Sequence, residues 1–297
     1  MVNEISTTDR WIKCISTEGH IRGVAIQATQ LVQSLAERHQ LQGEAICRLG
    51  EAVIGALLIS CYCRQGHRIN LNIRGSGLFQ QALVDAYPAG DVRGYLIQRE
   101  ASLLTEDTLG PWGTGLLSVL RTRDEEGGKP YIGTVPLLTG HLAKDLSFYW
   151  AQSEQIPSAV GISVNLEGDR VTSAGGFLVQ ALPGASSDEV RAIEQHIYEI
   201  QSLAESLAQD ANPMHLLSQI FQSTSFIVVE EKPIQFKCNC SWQRVYRALS
   251  LVGAEELSSM LAEDQVALVR CDFCVQEYPV DQPTLEKLLQ EVQSQQS

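Results

Sequence analysis

The chain has 297 residues, of which 44% are hydrophobic and 19% are charged, so it can bury a full core. This composition excludes a wholly disordered chain and a small disulfide-stapled protein. Its 22 Lys and Arg residues stand against 35 Asp and Glu residues, a formal net charge of −13, which repels duplex nucleic acid and anionic membranes over most of the surface.

The N-terminal segment MVNEISTTDRW lacks the basic stretch followed by an apolar stretch that marks a secretory signal. The longest uncharged apolar run lies between Glu51 and Arg64 and is far shorter than the roughly 20 residues that cross a bilayer. We therefore expect a cytoplasmic protein with no membrane span. In that compartment the eight cysteines stay reduced, and clustered ones are more typical of metal or redox sites than of structural disulfides.

Residues 1–182 are predicted to form an α+β core domain. Two strands turn at Glu18-Gly19, and two helices follow, with a break at Gln42-Gly43. The second of these helices is expected to run through the core. Further strands, separated by turns rich in Gly, Pro and Asp, are predicted at RINLNIRG, GYLIQ, GLLSVLRT, YIGTVPL, AVGISVNLEG and GGFLVQALP.

Residues 183–232 are predicted to be an acidic helical linker. Residues 183–231 hold eight acidic residues against Arg191 alone, and Ser186 with Glu189 forms a capping box. The helix that follows has one narrow apolar docking stripe, made of Val190, Ile193, Ile197, Ile200, Ala204 and Leu207. Such a helix buries little surface and repels itself on its acidic face, so its stability depends on what it docks against. An ordinary surface helix at the end of a domain is the alternative.

Residues 233–297 are predicted to form a small C-terminal domain. Its helices are expected from Ser241 to Val252, ending at Gly253, from Glu255 to about Leu261, and from about Pro283 onward with Asp281 as the N-cap. A domain this small, with so few large apolar side chains, needs a cross-link such as a structural metal or disulfides to be stable.

Four of the eight cysteines lie at the two ends of this domain, as the CxC pair Cys238 and Cys240 and the CxxC pair Cys271 and Cys274. Four thiolates at this spacing suit one tetrahedral Zn²⁺, whose binding would supply much of the folding free energy of the domain. Because every ligand can be oxidised, a strong oxidant that forms a disulfide would eject the metal, unfold the domain and release the acidic helix. A static structural zinc is the commoner use of four cysteines and is the alternative.

The other four cysteines, Cys14, Cys47, Cys61 and Cys63, are predicted to be thiols that pack as small hydrophobic side chains and have no further role. Cys61-Tyr62-Cys63 is also a CxC motif, but it ends an apolar helical run. Side chains two residues apart on a helix point about 200° apart, so these two sulfurs cannot face one ion.

The chain resembles the heat shock protein 33 family of redox-regulated holdase chaperones over essentially its full length. FKCNCSWQRVYRALSLVGAEELSSML and VRCDFCVQEYPV resemble the CxC and CxxC zinc signature of that family, and YIGTVPL, SEQIPSAVGISV and GGFLVQALPGA resemble its core segments, in the expected order. The resemblance implies an α/β-type core, a metastable linker and a zinc-binding redox-switch domain.

The resemblance also implies a mechanism. In the reduced protein Cys238, Cys240, Cys271 and Cys274 hold Zn²⁺ and the chaperone is inactive; oxidation joins Cys238 to Cys240 and Cys271 to Cys274, releases zinc and unfolds the linker. The exposed apolar surface then binds unfolding client proteins without ATP, the active form dimerises, and clients pass to ATP-dependent foldases. Since a CxC disulfide closes a tighter ring than a CxxC disulfide, we expect Cys271–Cys274 to form first.

Two other functions compete with this one. An enzyme is disfavoured because the chain has no GxSxG, HExxH, GxGxxG or GxxxxGK[ST] motif and its six histidines show no ligand spacing. A zinc-ribbon nucleic-acid-binding module with a static zinc is the second alternative. Residues 232–291 hold six basic and nine acidic residues, which argues against specific nucleic-acid binding, although Lys237, Arg244 and Arg247 lie near the first cysteine pair.

Overall fold

The computed structural model describes residues 9–99, 111–123, 130–263 and 266–296. Contacts divide the chain into two compact units, Met1–Lys237 and Cys238–Ser297. Both units combine helices with β-sheet, which confirms the predicted α+β class. The described helices of the first unit are α1 (Thr29–His39), α2 (Glu44–Ser60), α3 (Leu142–Tyr149), α4 (Ser187–Glu199), α5 (Leu203–Gln209) and α6 (Pro213–Ile220). Its described strands are β1 (Arg10–Ser16), β2 (Ile21–Gln27), β3 (His67–Gly75), β4 (Phe79–Ala86), β5 (Asp91–Gln98), β6 (Gly115–Arg123), β7 (Tyr131–Pro136), β8 (Ser158–Glu167), β9 (Arg170–Ala181), β10 (Phe226–Pro233) and β11 (Gln235–Phe236).

The first sheet has five antiparallel strands in the order β10-β1-β2-β9-β8. Its first hairpin turns at the predicted place, where Gly19 adopts a φ of 80° that glycine reaches without steric cost. Successive strand residues point to opposite faces, so Val24 packs in one hydrophobic cluster and Ala25 in another. Both faces of this sheet are therefore covered.

Helix α2 lies between the first sheet and a second sheet, whose strand order is β11-β5-β4-β3-β6-β7. In this second sheet β11 pairs with β5 in parallel, and the other neighbours are antiparallel. Almost every residue of α2 is buried, which confirms the prediction that this helix runs through the core. At Gly50 a Cβ atom would lie 2.8 Å from Val32 of α1, so the glycine permits the close approach of the two helices.

The opposite face of the first sheet is covered by the acidic segment. Helix α6 packs on β1 and β2, α5 packs on β8 and β9, and α4 packs on α6. Together they form the second hydrophobic cluster, in which Phe177 and Val179 of β9 meet Leu217 and Ile220 of α6.

The prediction of one continuous helix after Ser186 is wrong in its length. The capping box is present. Ser186 Oγ accepts a hydrogen bond from the N–H of Glu189, and the Glu189 carboxylate accepts one from the N–H of Ser186. However, α4 ends at Glu199, Gln201 adopts a φ of 44°, and Ser202 caps the new helix α5. Apolar spacing alone does not reveal this break, because Ile200 and Ala204 keep a four-residue interval across it.

The boundary between units falls later in the chain than composition predicts. Strand β10 pairs with β1, and β11 pairs with β5, so residues up to Lys237 stay with the first unit rather than separating at residue 233. A pairing between strands more than 200 residues apart leaves no local signal. The description of residues 183–232 as metastable concerns stability and stays a prediction.

Strand β10 forms where a helical linker was predicted, and besides β10 and β11 two more elements of the first unit lie outside the sequence predictions. Strand β4 has the sequence FQQALVDA, with few β-branched residues, and it forms because β3 and β5 flank it on both sides. Helix α3 is short, and its Asp145 carboxylate accepts from the backbone N–H groups of Leu138 and Thr139. Strand β4 depends on the strands on either side of it, whereas the Asp145 hydrogen bonds of α3 reach residues six and seven positions earlier in the chain.

The second unit comprises α7 (Trp242–Val252), α8 (Ala254–Glu263), β12 (Val266–Arg270), β13 (Glu277–Asp281) and α9 (Gln282–Gln296). As predicted, α7 ends at Gly253, which has a φ of 94°, and the Asp281 carboxylate accepts a hydrogen bond from the N–H of Thr284. Ser241, predicted as the first helical residue, is the N-cap of α7. The antiparallel hairpin β12–β13 is not predicted from the sequence. Among the described residues, no helix of either unit is long and apolar enough to cross a bilayer.

Asp9 caps α1 from outside the helix. The N-cap residue Ala28 offers no side-chain acceptor, and Asp9 Oδ2 accepts instead from the N–H of Leu31 at 2.5 Å, with Thr29 and Gln30 also donating to this carboxylate. Asp9 is only 4% exposed, and this burial raises its pKa to about 6, against the lowering effect of the three N–H groups.

Replacing Asp9 with Ala is expected to lower the free energy of unfolding by about 1–2 kcal/mol, because buried N–H groups at the helix start lose their acceptor. Asp9→Asn, which keeps an acceptor oxygen, is the matched control. The pKa of Asp9 in the folded protein lies above its ordinary value of 3.8. The contribution of this carboxyl to the free energy of unfolding is therefore complete below pH 3.8 and is lost as the pH rises through about 6. Denaturant unfolding at pH 5 and pH 8 should therefore show wild type losing stability relative to Asp9→Asn at the higher pH. Equal stability of Asp9→Ala and wild type would contradict the capping role.

Candidate metal centre

The second unit brings together two cysteines from its N-terminal end and two from its β12–β13 hairpin. Cys238 and Cys240 precede α7, Cys271 directly follows β12, and Cys274 lies in the turn that leads to β13. The β12–β13 hairpin holds this turn closed, since the N–H of Cys271 donates to the carbonyl of Gln276 at 2.9 Å.

The four Sγ atoms all lie within 4.8 Å of one another, and they are the only group of this kind among the described His, Cys, Asp and Glu residues. Cys238 Sγ lies 3.8 Å from Cys271 Sγ, and Cys240 Sγ lies 3.2 Å from Cys274 Sγ. A tetrahedral Zn²⁺ with Zn–S bonds of about 2.3 Å separates its sulfurs by about 3.8 Å, so one distance fits and the other needs to open by about 0.6 Å. This donor set suits one tetrahedral metal ion shared by both pairs.

Backbone N–H groups of the CxxC turn point at its sulfurs. The N–H groups of Cys274 and Phe273 donate to Cys271 Sγ, and the N–H of Gln276 donates to Cys274 Sγ. Burial raises the pKa of both thiols, and these N–H groups act in the opposite direction. A bound divalent cation reverses the balance, because a coordinating thiol is deprotonated.

Cys240 receives a side-chain hydrogen bond instead. The hydroxyl of Tyr278, on β13, donates to Cys240 Sγ at 3.0 Å. The edge of the Trp242 ring packs against the Tyr278 ring, with centroids 5.1 Å apart at 86°. Tyr278 lies within the CxxC segment that resembles a zinc signature, but spacing assigned it no role, since Cys240 is 38 residues away in the chain.

The residue after the CxxC motif, Val275, adopts a φ of 64°. This left-handed conformation is rare for a β-branched residue, whose Cβ substituents crowd the backbone. The Val275 N–H donates to the carbonyl of Cys271 at 2.8 Å, so the tight turn that presents the two sulfurs requires this conformation.

The other four cysteines are not brought into a metal-binding group among the described residues. Cys14 and Cys61 are buried, and Cys47 and Cys63 are half-buried. The prediction that Cys61 and Cys63 lie on a helix is wrong. Helix α2 ends at Ser60, and the pair lies in the following turn. There Cys61 Sγ donates to the carbonyl of Leu58 at 3.0 Å and Cys63 Sγ to that of Ile59 at 3.5 Å.

The predicted docking-stripe residues lie between the acidic helices and the first sheet. Ile193 and Leu207 are buried in the second hydrophobic cluster, and Ile197 and Ile200 are partly buried at its edge. Val190 lines a cavity of about 330 Å³ beneath α4. The carbonyl of Ala204 accepts from the Asn165 side chain at 2.7 Å.

Comparisons with known proteins cover almost the whole chain. Residues 9–281 match the family model described as Hsp33 protein. A 33 kDa chaperonin of Geobacter sulfurreducens is 37% identical over 95% of this chain and 95% of the relative, and one of Streptococcus pneumoniae is 32% identical over 95% of this chain and 99% of the relative. The crystal structure of a 33 kDa chaperonin, a heat shock protein 33 homolog, from Thermotoga maritima superposes with a TM-score of 0.85 at 32% identity, over 96% of this chain and 99% of that one.

Replacing Val275 with Gly is expected to tighten metal binding about fivefold, because glycine removes about 1 kcal/mol of net strain from the turn. Co²⁺ serves as the probe, since its thiolate complexes are coloured and can be titrated by absorbance. Val252→Gly is the matched control, because Val252 is exposed at the end of α7 and has no positive φ. An affinity of Val275→Gly equal to or below that of wild type would contradict the strain at this position.

Proposed function

Because this chain belongs to the Hsp33 family, we propose that it is a redox-regulated, ATP-independent holdase chaperone. The family is a chaperone family rather than an enzyme family. Regulation by oxidation is supported by one observation, the group of four sulfurs that all lie within 4.8 Å of one another. They belong to Cys238, Cys240, Cys271 and Cys274. In the reduced state these thiolates hold one Zn²⁺ and the chaperone is inactive.

The second unit has little else to hold it together. Among its described residues the hydrophobic core is one cluster of nine buried side chains, of which Leu257, Val280 and Leu285 are the most deeply buried. When bound, zinc links the CxC pair to the CxxC turn and so contributes folding free energy. Oxidation of Cys271 and Cys274 to a disulfide passes two electrons to the oxidant and removes two ligands, after which Cys238 and Cys240 pair more slowly because their ring is tighter.

Of the three helices, α4 is the most weakly docked, which supports its role as the conditional part. Helix α4 has one fully buried side chain, Ile193. Beside it lie two cavities, the one of about 330 Å³ that Val190 lines and another of about 530 Å³ that Ile200 lines. Residues 187–220 also carry six acidic residues against Arg191 alone, and their mutual repulsion opposes compact packing.

Unfolding of α4, α5 and α6 would uncover the apolar face of the first sheet. That face presents side chains of three neighbouring strands: Ile12, Ile21, Ala25, Phe177 and Val179. An apolar surface of this kind suits segments of unfolding client proteins, whose exposed side chains are also apolar. We propose it as the client-binding surface.

We also propose partners and a location for this chaperone. The oxidised form is proposed to dimerise, to act in the cytoplasm and to hand its clients to ATP-dependent foldases. The nucleic-acid alternative is weakened by Lys237, one of the three basic residues near the first cysteine pair, because its ammonium is held 2.7 Å from the Asp91 carboxylate.

Zinc release and chaperone activity are expected to rise together when the reduced protein is treated with hypochlorite, or with peroxide at raised temperature. A chromogenic chelator follows the zinc, and light scattering of a thermally unfolding client follows the activity. Cys47→Ser/Cys63→Ser is the matched control, since it removes two half-buried thiols outside the metal centre and should behave as wild type. Zinc loss without chaperone activity would contradict the switch, and zinc retention through oxidation would indicate a static site.

Replacing Ile197 with Asp is expected to give partial chaperone activity in the reduced protein, because a carboxylate cannot stay in the apolar contact between α4 and the first sheet. Tyr198→Asp is the matched control on the same helix, since Tyr198 is 81% exposed. Light scattering without oxidant compares the two variants. A reduced Ile197→Asp protein that fails to suppress client aggregation would count against the docking of α4 as the inhibitory contact.

A further inference from the structure

The two cysteine pairs differ in what donates to their sulfurs. In the CxxC pair, Cys271 and Cys274 accept from backbone N–H groups of their own turn. Cys240 of the CxC pair accepts from the hydroxyl of Tyr278, a side chain on the opposite strand of the hairpin. A backbone donor stays with the turn, whereas this hydroxyl depends on one aromatic side chain and on whatever holds that side chain in place.

Packing holds the Tyr278 hydroxyl in place. Tyr278 is 8% exposed and belongs to the hydrophobic cluster of the second unit. Trp242, two residues after Cys240, packs edge-on against its ring, and Tyr246 packs on Trp242 with centroids 5.8 Å apart. The aromatic group therefore holds the hydroxyl on Cys240 Sγ.

We propose that Tyr278 is a positioning residue of the redox switch, whose hydroxyl lowers the reactivity of Cys240 and so slows formation of the Cys238–Cys240 disulfide. This inference deepens the proposed function and rests on it for its biological meaning. A hydrogen bond to a thiolate takes up electron density that the sulfur would otherwise offer to an oxidant. The donor thus lowers the nucleophilicity of Cys240 without altering the ligand set.

The step that Tyr278 slows is the attack of a thiolate on a hydroperoxide. The Cys240 thiolate attacks the O–O bond, forms an S–O bond and expels hydroxide, which leaves a sulfenic acid. The Cys238 thiolate then attacks that sulfur, forms the disulfide and expels the former sulfenic oxygen as a second hydroxide. The two sulfurs together give up two electrons, which reduce the peroxide.

The test measures the reactivity of each cysteine in the zinc-loaded, reduced full chain. Iodoacetamide alkylation, followed by peptide mass mapping at low extent of reaction, gives a separate rate for each ligand sulfur. Tyr278→Phe keeps the ring and removes only the hydroxyl, and it is expected to raise the rate at Cys240 about fivefold, the equivalent of about 1 kcal/mol, while Cys271 and Cys274 keep their rates. A general loosening of the unit would instead raise the rates at all four sulfurs.

Tyr246→Phe is the matched control, because Tyr246 contacts the same Trp242 ring and is expected to leave every rate unchanged. In a parallel arm with limiting peroxide, wild type should form Cys271–Cys274 first, and Tyr278→Phe should form Cys238–Cys240 alongside it. Unchanged Cys240 alkylation in Tyr278→Phe, or an equal rise at all four sulfurs, overturns the proposal.

If Tyr278→Phe binds zinc less well than wild type, Trp242→Leu takes its place, since it keeps the hydroxyl but removes the ring that holds it. A selective rise at Cys240 then supports the proposal, and the wild-type rate overturns it. Failure of the proposed function is distinguishable, because oxidised wild type would then lack chaperone activity whatever the alkylation rates show.

Discussion

The five-stranded sheet carries apolar side chains on both of its faces, and the rest of the structure depends on how those faces are covered. On one face lies α2, an almost wholly buried helix held between two sheets. On the other lie α4, α5 and α6, which come from the most acidic part of the chain. Stabilisation by burial scales with the apolar area removed from water, so a helix such as α4, with one fully buried side chain, contributes little. Burial alone therefore contributes less at α4 than at α2.

The second unit differs from the first sheet in that it has little apolar surface to bury. One small cluster forms its core, and four sulfurs converge from its N-terminal end and its β12–β13 hairpin. The CxxC turn accepts a left-handed valine, Val275, in order to present its sulfurs. Local strain of this kind persists only where the surrounding structure over-determines the conformation, and here the hydrogen bonds of the β12–β13 hairpin do so.

Strand β10 stands between these two parts along the chain. It follows α6 and leads through β11 to Cys238. Backbone pairing with β1 holds it, together with the ion pairs Arg10–Glu231 and Lys13–Glu230. The N–H of Lys237 also donates to the carbonyl of Val92, so the chain is anchored on the second sheet immediately before the first metal ligand. The acidic segment is thus followed by two paired strands before the chain reaches Cys238.

The features that the sequence by itself determined are those whose signals act within a few residues. The Glu18-Gly19 turn, the break at Gln42-Gly43, the capping box at Ser186 and the caps of α7 at Ser241 and Gly253 depend on local backbone chemistry. The four candidate metal ligands were also identified by spacing, because CxC and CxxC pairs are short motifs. Only the tertiary structure decided that β10 joins β1, that β4 lies between β3 and β5, that the acidic helix breaks at Gln201, and that Tyr278 donates to Cys240. The β10–β1 pairing and the Tyr278–Cys240 hydrogen bond join residues far apart in the chain, and such contacts leave no periodic or local pattern in a single sequence. Strand β4 has few β-branched residues, so its pairing on both sides is what reveals it, and the break at Gln201 is a local turn across which the apolar spacing continues.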